Sequence, residues 1–455
     1  MESLYKDCDL IFNNDRAYFH LPTAKDNNFT QTLINKNAIE ITILPKLFGT
    51  REIDEDYEEC LERLRRISQT DVYSLERFCM MPEFVDLLTW LISLNGTEHT
   101  NLSVDATIVM TNALFIISDS KIFKSDTLFE HIFYVLQNDY HDYKEYVTNL
   151  VLNYLSPETY QDLINNNIIN ILLQFFNTPA NTPSNQRCCS LSFLVFCSLF
   201  HLMNEDQYQL LLPTFEFAIH YFLDKHFPAR LNAARYLSEI FRNDNLFDTI
   251  VQGSNFYDDI AYAGYGFPIL SEQIVNATCD IFITFIKKGY TDFTGIFRSF
   301  FECQFNSLMK NFDKFLEFLY YAIPYNLQDF EESKLYNFVV RKFNNGTVTE
   351  KQAASKVLIQ YMCLHSQEID LQIGEFVMPD LADMLEDFYP EALLDILKLF
   401  VTIFQRGEKF IQLGINSNIP EIVLELSKDA ENDDKIIDIC NQILRIFNID
   451  PDDTF

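Results

Sequence analysis

Glycine is scarce in this chain, with 11 in 455 residues, and they are scattered. That excludes Gly-rich linkers between separate domains and leaves few of the tight turns that close β-hairpins. No Ser-rich or Pro-rich run takes their place, and runs of strict apolar alternation are missing, so strands are not expected. The chain is longer than one hydrophobic core usually serves, so it has to grow without linkers. A repeat array does this, because each unit touches only its neighbours. A Gly-rich phosphate loop is also absent. GYGFP at Gly264 to Pro268 lacks the following Lys-Ser/Thr and reads as an inter-helix loop.

Basic residues are the second shortage. Lys+Arg total 34 against 66 Asp+Glu, so the formal charge is 34 − 66 = −32. A nucleic-acid binder needs a basic face for phosphates, and an anionic membrane asks for the same. Direct nucleic-acid contact is therefore not expected. The balance suits basic partners, and it also keeps a long chain soluble. The 10 Cys form no CxxC pair and sit in helical patterns, as buried thiols of a reducing compartment would. The start, MESLYKDCDLIFNND, has no apolar core of a signal peptide. The most apolar stretch, Leu191 to Met203, falls short of the ~20 residues of a membrane span, so no membrane insertion is expected. The sequons at Asn95, Asn101, Asn276 and Asn345 carry no weight in such a chain. The eight His do not cluster with Cys or carboxylates at ligand spacing, and His131 and His141 are read as ordinary surface or half-buried residues. No nucleophile motif is found. No metal, no cofactor and no enzymatic activity are expected.

What is present is helical periodicity in abundance. LSVDATIVMTNALFIIS (Leu102 to Ser118) and YKEYVTNLVLNYLSPETYQDLINNNIINILLQFF (Tyr143 to Phe176) each set an Asn into an apolar pattern, at Asn112 and Asn153. Their separation matches the period of about 40–47 residues of armadillo and HEAT repeats. Aligned on that Asn, the second long helix of each unit gives a ladder: Asn112, Asn153, Val195, Glu239, Thr284, Tyr320, Gln360 and Thr402. The fold class this implies is an all-α, right-handed, armadillo-like superhelical solenoid over residues 39–448. Residues 1–38, rich in Asn and Asp, read as a loosely ordered extension, and 449–455 as a short acidic tail. Trp90, the one tryptophan, falls on a preceding helix as core.

The order and spacing of several segments resemble the importin-α family. LSVDATIVMTNA resembles its first Trp-Asn helix, SPETYQDLINNNIINILLQFF its next join and AARYLSEIF (Ala233 to Phe241) a middle-repeat helix. MPDLADMLEDFYPEALLDILKLFVTIF resembles a late repeat, and NIPEIVLELSKDAENDDKIIDICNQILRIF the atypical last one. The resemblance implies an adaptor of cytoplasm and nucleus for nuclear protein import. Its partners would be basic peptide segments of cargo proteins, with transport receptors as a second class. In that family a ladder Asn bonds the peptide backbone, and a Trp one turn earlier holds a cationic side chain. An amide can both donate and accept, an indole face attracts a cation, and positions i and i+4 share a helix face.

Here no Trp stands at the upstream positions, which are Ile108, Asn149, Leu191, Arg235, Asp280, Leu316, Lys356 and Lys398. Residues 1–38 hold only Lys6, Arg16, Lys25 and Lys36, so the family's basic importin-β-binding segment is not visible. On the family's register the expected peptide-binding residues are Asn112, Asn153, Glu239 and Asp280, in an acidic concave groove. The alternative is an armadillo scaffold that has lost signal binding. An acidic, Asn-bearing face favours the first, and an apolar or basic one the second.

Overall fold

The computed structural model describes residues 43–49, 51–69, 72–117, 120–138, 141–177, 182–224, 229–251, 272–291, 312–333, 335–364, 377–379, 381, 382, 385, 390–428 and 433–449. No strand occurs among them. The expected extension at 1–38, the GYGFP segment and all but the first residue of the expected tail lie outside these residues. The chain divides into two compact units, Met1–Leu246 and Phe247–Phe455.

The first unit contains Leu44–Gly49 (α1), Glu55–Ser68 (α2), Val72–Cys79 (α3), Pro82–Ser93 (α4), Thr100–Ile116 (α5), Asp126–Gln137 (α6), His141–Tyr154 (α7), Tyr160–Asn165 (α8), Ile168–Asn177 (α9), Pro183–Leu202 (α10), Leu212–Leu223 (α11) and Arg230–Phe241 (α12). Asp244–Val251 (α13) runs across the division. Local signals set the boundaries. Asp54, Ser125 and Thr182 accept backbone N–H bonds at the starts of α2, α6 and α10, as small polar N-caps do. Asn167 takes φ 64 between α8 and α9, a left-handed turn that Asn tolerates better than most residues.

Within this unit α2, α5, α7, α10 and α12 pack side by side in chain order, while α4, α6, α9 and α11 each back onto the stacking helix that follows. The many Phe and Tyr fill the seams. Phe176 of α9 lies 4.9 Å from Phe193, which lies 6.1 Å from Tyr236. Side-chain amides then tie three of the stacking helices, α5, α7 and α12, to the one before. Asn112 Nδ2 donates to Ser68 Oγ at 3.2 Å and to its carbonyl at 3.4 Å. Asn153 Nδ2 donates to the Thr111 carbonyl at 3.4 Å, and Asn232 Nδ2 to Ser190 Oγ at 2.8 Å. The bonded residues are 44, 42 and 42 apart, one repeat in each case.

The second unit contains Glu272–Lys287 (α14), Asp313–Ala322 (α15), Leu327–Glu332 (α16), Leu335–Asn345 (α17), Val348–Leu364 (α18), Pro390–Phe404 (α19), Glu408–Asn416 (α20), Ile419–Lys428 (α21) and Asp434–Ile446 (α22). Here α14, α15, α18, α19 and α22 stack in order, with α17 behind α18 and α21 behind α22. Arg406, just past α19, donates to the Met362 carbonyl 44 residues earlier. Gly414 has to lack a side chain, since a Cβ there would lie 2.7 Å from Phe447 Cζ and 2.9 Å from Phe404 Cε1.

One carboxylate pins three elements of this unit. Glu350, 3% exposed, opens α18 as the partner of Thr347 in a reciprocal cap. It accepts from the Thr347 amide at 3.0 Å, from the Phe312 amide at 3.2 Å and from Lys342 Nζ at 2.7 Å. Lys342 Nζ also sits 3.9 Å from the centre of the Phe312 ring. Removing the carboxylate takes an acceptor from a largely buried ammonium and from the Thr347 and Phe312 amides. Glu350→Ala should therefore lower stability by about 3–5 kcal/mol, and Glu350→Gln by less, as read from urea midpoints. Equal stability of all three proteins would show that the cluster holds nothing.

Candidate functional site

The eight ladder residues lie on eight stacking helices: Asn112, Asn153, Val195 and Glu239 on α5, α7, α10 and α12, and Thr284, Tyr320, Gln360 and Thr402 on α14, α15, α18 and α19. Their exposure splits between the units. In the first, Asn112 and Val195 are fully buried, and Asn153 and Glu239 are half-buried. The upstream positions Ile108, Asn149 and Leu191 are buried as well. In the second, Thr284, Tyr320 and Gln360 are half-buried and Thr402 is exposed. The open row therefore belongs to the second unit, although the Asn pattern that marks the repeat in sequence belongs to the first.

The four expected contact residues have other occupations. Asn112 is interior, and its amide is spent on Ser68. Asn153 gives its amide to Thr111. Glu239 accepts from Arg242 at 2.9 and 3.1 Å and lies 3.8 Å from His201 of α10. Asp280 of α14 pairs with Lys314 of α15 at 2.9 Å. Within the first unit Asn112 is buried, so the Asn pair and Glu239 do not form one open cluster. The Asn pair lies in the first unit and Asp280 in the second.

Ion pairs between stacking helices recur in both units. In the first, Arg65 meets Asp105 at 3.1 Å and Glu145 meets Arg187 at 2.8 Å. In the second, Lys356 meets Asp395 at 3.0 Å, beside the Asp280–Lys314 pair. Arg63 and Arg66 of the RLRR cluster pair within α2, with Glu59 and Glu62, while Arg65 reaches across to α5. The acidic groove expected from the sequence is interrupted on these helices by basic partners. On the stacking-helix faces each of these carboxylates has a basic neighbour, despite the net charge of −32. The residues that carry this balance in the second unit, Lys314, Glu317, Asp395 and Lys398, were not singled out as a group by sequence reasoning. Their i, i+3 spacing on two helices was the available signal.

Tyrosines complete the second unit's face. Burial pushes the Tyr320 hydroxyl up to about 12, with Asp395 adding to the effect. Lys287 Nζ lies 4.6 Å over the centre of the neighbouring Tyr321 ring, a cation–π contact. Trp90, on α4, is half-buried rather than fully core. It sits edge-on to Tyr57 at 6.2 Å with Arg51 5.2 Å above it.

Two other constellations resemble chemistry. Cys197 Sγ lies 3.9 Å from His201 Nε2, and that same nitrogen faces Glu239 at 3.8 Å. A relay needs the acid on the other ring nitrogen, so this is a packing contact. The second is a buried polar knot. His131 of α6, expected at or near the surface, is 3% exposed. Its Nε2 lies 3.0 Å from Thr107 Oγ1 and 3.1 Å from the Tyr143 hydroxyl, which is 2.9 Å from both Thr107 Oγ1 and Ser103 Oγ. Ser103 Oγ donates to the Ile92 carbonyl, so the knot joins α4, α5, α6 and α7. It is sealed from solvent and holds helices together.

No protein-family model matches the chain, and no curated protein does. Solved structures do match. An engineered protein known from its crystal structure superposes with a TM-score of 0.64 at 11% identity, covering 91% of this chain and 98% of that one. The fold is an all-α helical repeat. A structure from work on the phosphorylation-controlled interaction between cadherin and β-catenin matches at 0.49 and 9% identity, over 94% and 97% of the two chains. UNC-45 from Drosophila melanogaster matches at 0.44 and 12% identity, over 93% of this chain and 60% of that protein. At those scores the latter two add nothing to the fold assignment.

The knot has a pH signature. Burial pulls the His131 imidazole down from 6.5 to about 4, and the Ile92 carbonyl offsets this only in part. The native ring stays neutral while the unfolded ring takes a proton below about 6.5. Stability from this group is therefore full above that pH and declines as pH falls toward 4. The whole loss is about 3 kcal/mol, since each tenfold difference in proton affinity between the unfolded and native ring is worth roughly 1.4 kcal/mol. Urea unfolding at pH 7 and 4.5 should show wild type losing about 2–3 kcal/mol more than His131→Gln. Parallel losses in the two proteins would place the ring in solvent.

Proposed function

We propose that this chain is an armadillo-type protein-interaction scaffold, which docks segments of other proteins across the stacking-helix face of its second unit. The observation that carries this is the open row Thr284, Tyr320, Gln360 and Thr402, one residue on each of four consecutively packed helices. A segment crossing the stack meets a different side chain at each step, and equal register sends them to one side. Half-burial supports the role, because a side chain held by its neighbours loses little freedom on binding.

Reception of basic transport signals is the narrower reading. It needs Asn112, Asn153, Glu239 and Asp280 to be available, and a basic signal would have to displace Ser68, Thr111, Arg242 and Lys314 from them. The charge balance of the stacking-helix faces favours the broader function.

Selection of short random peptides displayed on phage against the intact protein tests the proposal. Enriched clones should lose about tenfold or more in affinity for a Tyr320→Ala, Gln360→Ala double variant that melts like wild type, a difference of about 1.4 kcal/mol. Clones that keep full affinity, or no enrichment at all, would overturn docking on this face. Enrichment of uniformly basic clones that depend on Asn153 would restore the transport-signal reading.

A further inference from the structure

The six charges paired across the second unit's stacking helices sum to zero, yet they divide unevenly between two clusters. On α14 and α15, one ammonium serves two carboxylates: Lys314 Nζ is 2.9 Å from Asp280 Oδ1 and 2.9 Å from Glu317 Oε2. On α18 and α19 the count is reversed. One carboxylate serves two ammoniums, with Asp395 at 3.0 Å from Lys356 and 3.9 Å from Lys398. The first cluster holds one carboxylate charge in surplus and the second one ammonium charge. The residues carrying the surplus are accessible, with side chains 38% exposed at Glu317 and 55% at Lys398. Tyr320 shares α15 with Glu317, and Gln360 lies on α18, between α15 and the α19 of Lys398.

We propose that this face binds a segment with a basic residue for the Asp280–Glu317 end and an acidic residue for the Lys356–Lys398 end. This rests on the docking function proposed above and specifies the partner's chemistry. The spacing follows from the stack. Packed helix axes are about 8–10 Å apart, so α15 and α19, two steps apart, stand about 20 Å from each other. An extended chain covers roughly 3.3 Å per residue, which puts the two charges about six residues apart. An even separation also sends both side chains to the same side of an extended segment. A uniformly basic or uniformly acidic segment meets attraction at one end and repulsion at the other. Charge patterns of this kind set which partner is chosen more than how tightly it is held.

The test uses three synthetic peptides with neutral ends and one shared neutral spacer, carrying Arg and Glu, two Arg, or two Glu at that separation. Each is titrated into the full chain at physiological salt, where the distant net charge is screened. Wild type should bind the Arg/Glu peptide several-fold more tightly than either other. Lys398→Glu should hand the preference to the two-Arg peptide, and Glu317→Lys should hand it to the two-Glu peptide. Both variants keep one intact pair, Lys356 with Asp395 or Lys314 with Asp280, so the fold does not depend on the residue changed. Wild type preferring a uniform peptide, an order unmoved by the two reversals, or no binding of any of the three would overturn the inference. If none binds while displayed random peptides still need Tyr320 and Gln360, the charge pattern is wrong and the docking function stands. If those fail too, both fall.

Discussion

A polar side chain caught between two packed helices must find its partner on the neighbouring helix, and the first unit is organised by that requirement. Asn112, Asn153 and Asn232 each reach back one repeat to a Ser or Thr residue of the preceding stacking helix. Apolar packing alone would let such helices slide, because leucines and phenylalanines tolerate many registers. A buried amide does not, since a slip leaves it without a partner at a cost of about 1–3 kcal/mol. The Ser103–Thr107–His131–Tyr143 knot applies the same rule across four helices, and Glu350 does so with a charge in the second unit.

That constraint explains why the two units differ in what they can offer. In the first, the two ladder asparagines are spent on holding the stack together. In the second, Phe282 against Phe318 and the carboxylate of Glu350 do much of the holding, which leaves the ladder positions partly open. Charge follows the same division of labour. A chain of −32 would repel itself if its carboxylates faced one another between neighbouring helices, so lysines and arginines sit against them there.

Much of this was legible in sequence. The 3.6-residue period and the spacing near one armadillo repeat placed all eight rungs on stacking helices. Burial at those rungs was not legible. Periodicity says which residues share a helix face, but not which face the next helix covers, so Asn112 read as a groove residue when it is interior. His131 was invisible for the same reason, because Thr107 and Tyr143 come to it from other helices. Glu350 could have been found: Thr347 and Glu350 stand at the spacing of a capping box. Asn167 and Asn418 both close turns at positive φ. Their abundance reflects turn chemistry as much as any binding role. The pairs of Lys314 and of Asp395 span a full repeat, and only their helix-internal halves were visible.

The claim on which everything rests is that the ladder amides of the first unit hold helices and not peptides. Hydrogen exchange of the Asn112→Ala protein, followed in α2 and α5 and paired with titration of a peptide selected for wild type, tests it most directly. The account predicts about 5- to 150-fold faster exchange there, equivalent to the 1–3 kcal/mol of a lost buried partner, with peptide affinity unchanged. Unaltered exchange together with lost affinity would contradict it.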